Sequence, residues 1–88
     1  MRIMRYRSRD EIIGSILQSA AFGNGVTKTK IMYSSFLSYP QLLYYLDHLL
    51  SEGLLEYDYT NKTYRIKRKG SDLLELNKQL AKLIKIWS

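Results

Sequence analysis

The chain has no cysteine, and only one histidine, one tryptophan and one proline among its 88 residues. Without cysteine there is no disulfide staple, no thiolate metal site and no thiol nucleophile, which fits a reducing compartment. The lone histidine, His48, has no second imidazole to join it, and the neighbouring Asp47 projects about 100° away around a helix. Neither a metal site nor a catalytic dyad is therefore expected. There is no glycine-rich phosphate loop, no pair of acids at a catalytic spacing and no nucleophile beside a base, so neither an enzyme nor a cofactor is expected. Long apolar runs are missing too. The opening MRIMRYRSRDEII has arginines but not the apolar stretch of a signal peptide or membrane span, and the expected location is cytoplasmic, on the nucleoid.

Acidic residues are also scarce: 8 Asp+Glu against 14 Lys+Arg leaves a net charge of +6. That balance points to a polyanionic partner, either nucleic acid or an anionic membrane face. A chain of this length makes one small domain, burying roughly 60–65% of its unfolded surface. Its 45% hydrophobic content is that of a folded protein. Eight tyrosines stand against two phenylalanines, and the excess reads as wing and core material, rings that bury their bodies and keep their hydroxyls wet.

Ser8-Arg9-Asp10-Glu11 has the form of a capping box. Ile12, Ile13, Ile16, Leu17, Ala20 and Ala21 then recur at helical intervals, predicting a first helix over 9–22 that ends at Gly23-Asn24-Gly25. Val26-Thr27 is a short extended link. Thr27 caps a second helix over 28–35, with Ile31 and Met32 inward. Phe36-Leu37 makes a turn, Ser38 caps a third helix with Pro40 in its first turn, and Gly53 stops it. Leu54 to Tyr59 and Tyr64 to Lys67 alternate about a polar turn, predicting a β-hairpin in which Leu55, Tyr57 and Tyr59 share one side. Gly70-Ser71-Asp72 opens a last helix. The fold class is mainly α with a small hairpin, in the order α-α-α-β-β-α: a winged helix-turn-helix. The expected division is a basic arm over 1–7, the winged-helix domain over 8–69 and a C-terminal dimerisation helix over 70–88.

On the third helix, Leu42, Tyr45, Leu46 and Leu49 share one side of a helical wheel, and Pro40, Gln41, Tyr44, Asp47, His48 and Ser51 share the other. In a helix-turn-helix the outer side of this helix enters the major groove. Gln41 suits bidentate bonding to adenine. Ser38, Tyr39 and Tyr44 suit phosphates or base edges, the Tyr44 ring suits a thymine methyl, and His48 a phosphate. Asp47 would repel the backbone unless it accepts from a cytosine amine. Around this helix the pattern places Arg5, Arg7 and Arg9 on the arm, Lys28 and Lys30 at the start of the second helix, and Lys62 and Arg65 on the wing, followed by Lys67, Arg68 and Lys69.

The last helix holds Leu73, Leu76, Leu80, Leu83 and Trp87 at intervals of three and four, an a/d stripe of two heptads. Leu74, Ala81 and Ile84 make a second stripe beside it. One stripe is expected to dock on the domain and the other on a second copy of the chain, with Asn77 beside the seam as a register element. The helix has three lysines after Asp72 and Glu75, too few to favour a membrane-surface role.

The runs YRSRDEIIGSILQSA, TKTKIMYSSFLSYPQLLYYLDHLLSEGLLEYD and TYRIKRKG resemble an archaeal winged-helix family of small transcriptional regulators, over about residues 6–76. The resemblance implies a DNA-binding domain, dimerisation through an antiparallel coiled coil of C-terminal helices, and an archaeal or archaeal-virus source. Against the long-coil members this last helix is short, and Pro40 and Leu43 stand where relatives tend to be polar. The expected function is a homodimeric regulator bound to double-stranded DNA. Two alternatives stay open: an architectural chromatin protein of low sequence preference, and a winged-helix module that binds another protein through Leu43 and Tyr44.

Overall fold

The computed structural model describes residues 8–87, with side chains through Ile84. The expected arm over 1–7, with Arg5 and Arg7, lies outside the described residues, as does the side chain of Trp87. The elements run α1 (Arg9–Ala20), α2 (Lys28–Ser34), α3 (Tyr39–Ser51), β1 (Leu55–Asp58), β2 (Thr63–Ile66) and α4 (Arg68–Trp87). This is the α-α-α-β-β-α order of a winged helix.

All three leading helices begin where a hydroxyl can take an orphan amide. Ser8 Oγ accepts from Glu11 N at 3.1 Å, and the Glu11 carboxylate accepts from Ser8 N at 2.9 Å. Ser38 and Gln41 repeat this reciprocal pattern at the start of α3, and Thr27 Oγ1 accepts from Lys30 N. Such caps contribute about 1 kcal/mol each. Gly53, at φ +78°, ends α3 as the sequence predicts. The first helix stops two residues short of the predicted 22. Ala21 is its C-cap, and the chain then turns through Gly23 at φ +53°.

α1, α2 and α3 enclose one core. Ile16 and Leu17 of α1, Ile31 of α2, and Leu42 and Leu49 of α3 are wholly buried, joined by Tyr45, Leu46, Leu55 and Tyr64. Each such aliphatic side chain contributes roughly 1.5–3 kcal/mol by leaving water.

The hairpin is antiparallel, with Glu56 opposite Arg65 and Tyr57 opposite Tyr64. Leu55 is buried and Tyr57 half-buried, but Tyr59 lies beyond the strand end, 84% exposed, with its ring edge-on to Tyr57 at 4.9 Å. Alternation carries a side only while the pleat lasts, so Tyr59 meets the Tyr57 ring but is not covered as Leu55 is. Val26 adds a third, one-residue rung: its N–H donates to Tyr64 O at 2.9 Å, and Tyr64 N–H donates back at 2.7 Å. Gly25, at φ +126°, admits this approach, since a Cβ there would sit 2.9 Å from the Arg65 and Thr63 side chains.

α4 starts at Arg68, two residues before the predicted opening, so Gly70 lies inside its first turn and is buried. There the helix presses on the backbone of Leu54 and on Ile66. Its first half packs on the domain through half-buried Leu73 and Leu74. Asn77 is half-buried against α1, with its side-chain nitrogen 3.4 Å from where a Gly14 Cβ would stand. Among the described residues no helix is long and apolar enough to cross a membrane.

Candidate nucleic-acid interface

The wheel drawn from sequence holds: Leu42, Tyr45, Leu46 and Leu49 face the core, while Tyr39, Gln41, Leu43, Tyr44, Asp47, His48 and Ser51 are exposed. Tyr39 and Tyr44 are 51% and 55% exposed, and Leu43 is 40% exposed. The outer surface of α3 is thus polar-aromatic. Toward the wing it falls into an apolar trough formed by Pro40, Leu43 and Leu50 against Tyr64, with Asp47 at its side.

Two cations from other helices rest on the exposed tyrosines. Arg9, the first residue of α1, donates from Nη2 to the Tyr44 hydroxyl at 2.7 Å, with its guanidinium carbon 5.8 Å from the ring centre. Lys28, the first residue of α2, places Nζ 5.8 Å from the centre of the Tyr39 ring. Both are cation–π contacts that leave the charge facing water. Burial raises the Tyr64 hydroxyl above its ordinary pKa of 10.0, and the nearby Lys28 charge pulls the other way.

The remaining residues singled out by sequence separate. Ser38 and Gln41 are engaged at home: Gln41 Oε1 accepts from Ser38 N at 3.0 Å and from Ser38 Oγ at 3.1 Å. The oxygen that a bidentate adenine contact requires is therefore shared with the cap, and the side-chain NH2 is left to donate. Lys30 lines a groove between α1 and α2 with Gln18, Phe22 and Ser34, because two residues of helix turn it about 200° from Lys28. His48 lies in the groove between α3 and α4 with Glu52, Lys69, Asp72 and Leu76, away from the centre of the α3 outer face. Lys62 stands in the exposed wing turn at φ +56°. Arg65 is paired across the strands with Glu56 at 3.2 Å. Arg68 pairs with Asp72 at 3.7 Å, and Lys69 donates to the Glu52 carbonyl at the C-terminal end of α3, at 2.9 Å. These last two serve α3 and α4 themselves rather than the outer face. Among the described residues no group of three His, Asp or Glu side chains could hold a metal ion.

Sequence reading missed two residues that shape this surface. Asp58 builds the wing turn, accepting from Thr60 N at 2.9 Å, Asn61 N at 3.2 Å and Asn61 Nδ2 at 2.8 Å. The Asp-x-x-Asn spacing was its available signal. The Asn61 backbone and side-chain bonds, with smaller help from Thr60 and Arg65, hold the Asp58 carboxyl below its ordinary 3.8. A depressed carboxylate stabilises the folded turn above its unfolded pKa, and this is lost as pH falls through the folded one. The wing turn should accordingly hold at all pH values above 3.8 and loosen only below that. An NMR titration should place the Asp58 midpoint below the ordinary 3.8, and Asn61→Ala should raise it; an unchanged midpoint would deny the role given to Asn61. The second missed residue is Glu56, whose place opposite Arg65 follows from counting outward from the turn.

On α4 both apolar stripes meet the domain at their start. Leu73 and Leu74, one from each stripe, both dock on the domain. Beyond Asn77 both stripes are bare, with Leu80, Leu83 and Ile84 53%, 55% and 63% exposed, and Leu76 59% exposed just before. Leu80, Ala81 and Ile84 line an open groove with Asp10, Glu11 and Gly14 of α1, which runs beside this half of α4 without covering it.

No curated protein matches this chain. Among solved structures, it is similar to the crystal structure of Sso10a-2, a DNA-binding protein from Sulfolobus solfataricus, at 25% identity and a TM-score of 0.78. That likeness covers 92% of this chain and 85% of the other. The model of the winged helix-turn-helix family matches residues 6–85, spanning the three leading helices, the wing and nearly all of α4. With helix order, hairpin and match in agreement, the chain belongs to the winged helix-turn-helix family.

Proposed function

We propose that this protein binds double-stranded DNA, laying α3 in the major groove and the wing along the backbone, and that it acts as a homodimeric transcriptional regulator. The observation that carries this reading is the placement of Arg9 and Lys28 on Tyr44 and Tyr39, which brings positive charge from α1 and α2 to the outer face of α3. The net charge of +6 and the likeness to a DNA-binding protein of the same fold support it. In this reading Lys62 and Arg65 follow the phosphates, Tyr39 and the Gln41 NH2 meet the groove, and the bare end of α4 joins two copies through Leu76, Leu80 and Leu83.

A second reading, an architectural protein of low sequence preference, is favoured by the Gln41 oxygen, which the cap of its own helix already uses. Selection from random duplex separates the two: an enriched motif supports the regulator, and a flat outcome the architectural role. For duplex binding itself the test is affinity against salt. Each neutralised phosphate adds about 0.9 to the slope of log K on log salt, so Lys62→Ala should lower the slope by about 1 and weaken all sequences alike. An affinity no greater than that of an unrelated protein of equal charge would overturn the proposal.

A further inference from the structure

Three arginines have described side chains, and their partners differ in kind. Arg65 and Arg68 are matched to the carboxylates of Glu56 and Asp72. Arg9 makes no ion pair among the described residues, although Asp10 and Glu11 follow it directly. Glu11 is turned back onto the Ser8 amide, and Arg9 reaches instead to a neutral phenol on a different helix, 35 residues along the chain. Arginine carries five N–H donors in a planar fork. One is given to the Tyr44 hydroxyl, and among the described residues the positive charge has no counter-ion.

We propose that Arg9 and Tyr44 form a phosphodiester-binding clasp at the junction of α1 and α3, in which Tyr44 is a positioning residue. The inference rests on the DNA-binding reading above and refines the part played by Tyr44. Both ends of the clasp are fixed before any ligand arrives. The Ser8–Glu11 capping box sets the first turn of α1, from which Arg9 projects. The Tyr44 ring stands edge-on to the Tyr45 ring at 5.2 Å and 84°, and Tyr45 is buried. The phenol oxygen holds one arm of the guanidinium fork, and the remaining N–H donors can reach two oxygens of one phosphate. A planar fork with an unspent charge fits that anion better than a base edge. Holding an arginine side chain ready also removes part of the ordering entropy that binding otherwise costs.

The test is a double-mutant cycle on duplex affinity with the full chain: wild type, Tyr44→Phe, Arg9→Ala and the double variant, each on one selected duplex and on mixed-sequence duplex. Tyr44→Phe keeps the ring on Tyr45 and removes only the hydroxyl, and it should weaken both duplexes alike, about tenfold. Arg9→Ala should weaken binding at least as much and lower the salt slope by about 1. The double variant should be no weaker than Arg9→Ala alone, because the hydroxyl acts through the guanidinium. Arg9→Lys should keep the slope but lose sensitivity to Tyr44→Phe. Additive losses, a Tyr44→Phe effect confined to one sequence, or no effect of Tyr44→Phe would each overturn the clasp while leaving DNA binding intact. Failure of the wild type to bind duplex would instead overturn the proposed function.

Discussion

Gly70→Ala is expected to lower the unfolding free energy by about 1–3 kcal/mol, the cost of overpacking a site that cannot relax. Gly14→Ala is expected to raise it by up to about 1 kcal/mol. Both glycines lie inside helices, where alanine is intrinsically favoured, so propensity alone predicts two gains. Space decides the sign. A Cβ at Gly70 would meet the backbone oxygen of Leu54 and stand 2.8 Å from Ile66 Cγ1 and 3.2 Å from the Leu54 carbonyl carbon. That oxygen already accepts from Lys67 N at 2.9 Å, which ties the start of α4 to the wing. Main chain cannot swing aside as a rotamer does, so α4 would have to lift from the hairpin and pull Leu73 and Leu74 off the core. At Gly14 the neighbour is the far end of the Asn77 side chain at 3.4 Å, which can move. Urea unfolding followed by circular dichroism measures both. A Gly70→Ala midpoint at or above that of the wild type would show that α4 is not seated on Leu54 as described.

The same contrast shows what the sequence could disclose. Capping boxes, helical intervals and the hairpin alternation are local patterns, and they place α1, α3 and the wing to within a residue or two. Gly70 looked like a helix start because glycine and serine punctuate loops. The true reason for it is a contact with Leu54, sixteen positions away, which no local pattern carries. Arg9 and Tyr44 are a sharper case: each was legible as cationic or aromatic surface, but their meeting depends on how α1 crosses α3. Gln41 shows the reverse. Its spacing from Ser38 is that of a capping box of the S-x-x-Q form, and the oxygen that makes the cap is the one an adenine contact would use. Helical periodicity also shows which faces of α4 are apolar and not how closely the domain packs against them: Leu73 and Leu74 are half-buried, whereas Leu80, Leu83 and Ile84 are exposed.

Replacing Leu76, Leu80 and Leu83 together by glutamine is expected to turn a dimer into a folded monomer and to cost about 100-fold or more in affinity for a two-site duplex. These side chains are 59%, 53% and 55% exposed in the single chain, so their loss removes little from its own core. Full burial of a leucine contributes roughly 1.5–3 kcal/mol, so six half-exposed leucines in a pair of chains supply roughly 5–9 kcal/mol. Association costs about 4–15 kcal/mol in lost freedom of motion. The two are comparable, so these leucines are the main source of any dimer stability and losing them should abolish it. Light scattering at tens of micromolar should then give twice the mass of 10.4 kDa for the wild type and the single mass for the triple variant, with unchanged helicity by circular dichroism. Joining two binding units makes the second contact intramolecular, which typically multiplies affinity by about 10²–10⁴. The monomer forfeits that factor and half of the phosphate contacts, so its salt slope should fall to about half. Slope and mass must change together: a variant that becomes monomeric yet keeps the full slope would mean that one copy alone makes all the contacts with DNA, and a wild type already monomeric at these concentrations would remove the second copy from the mechanism.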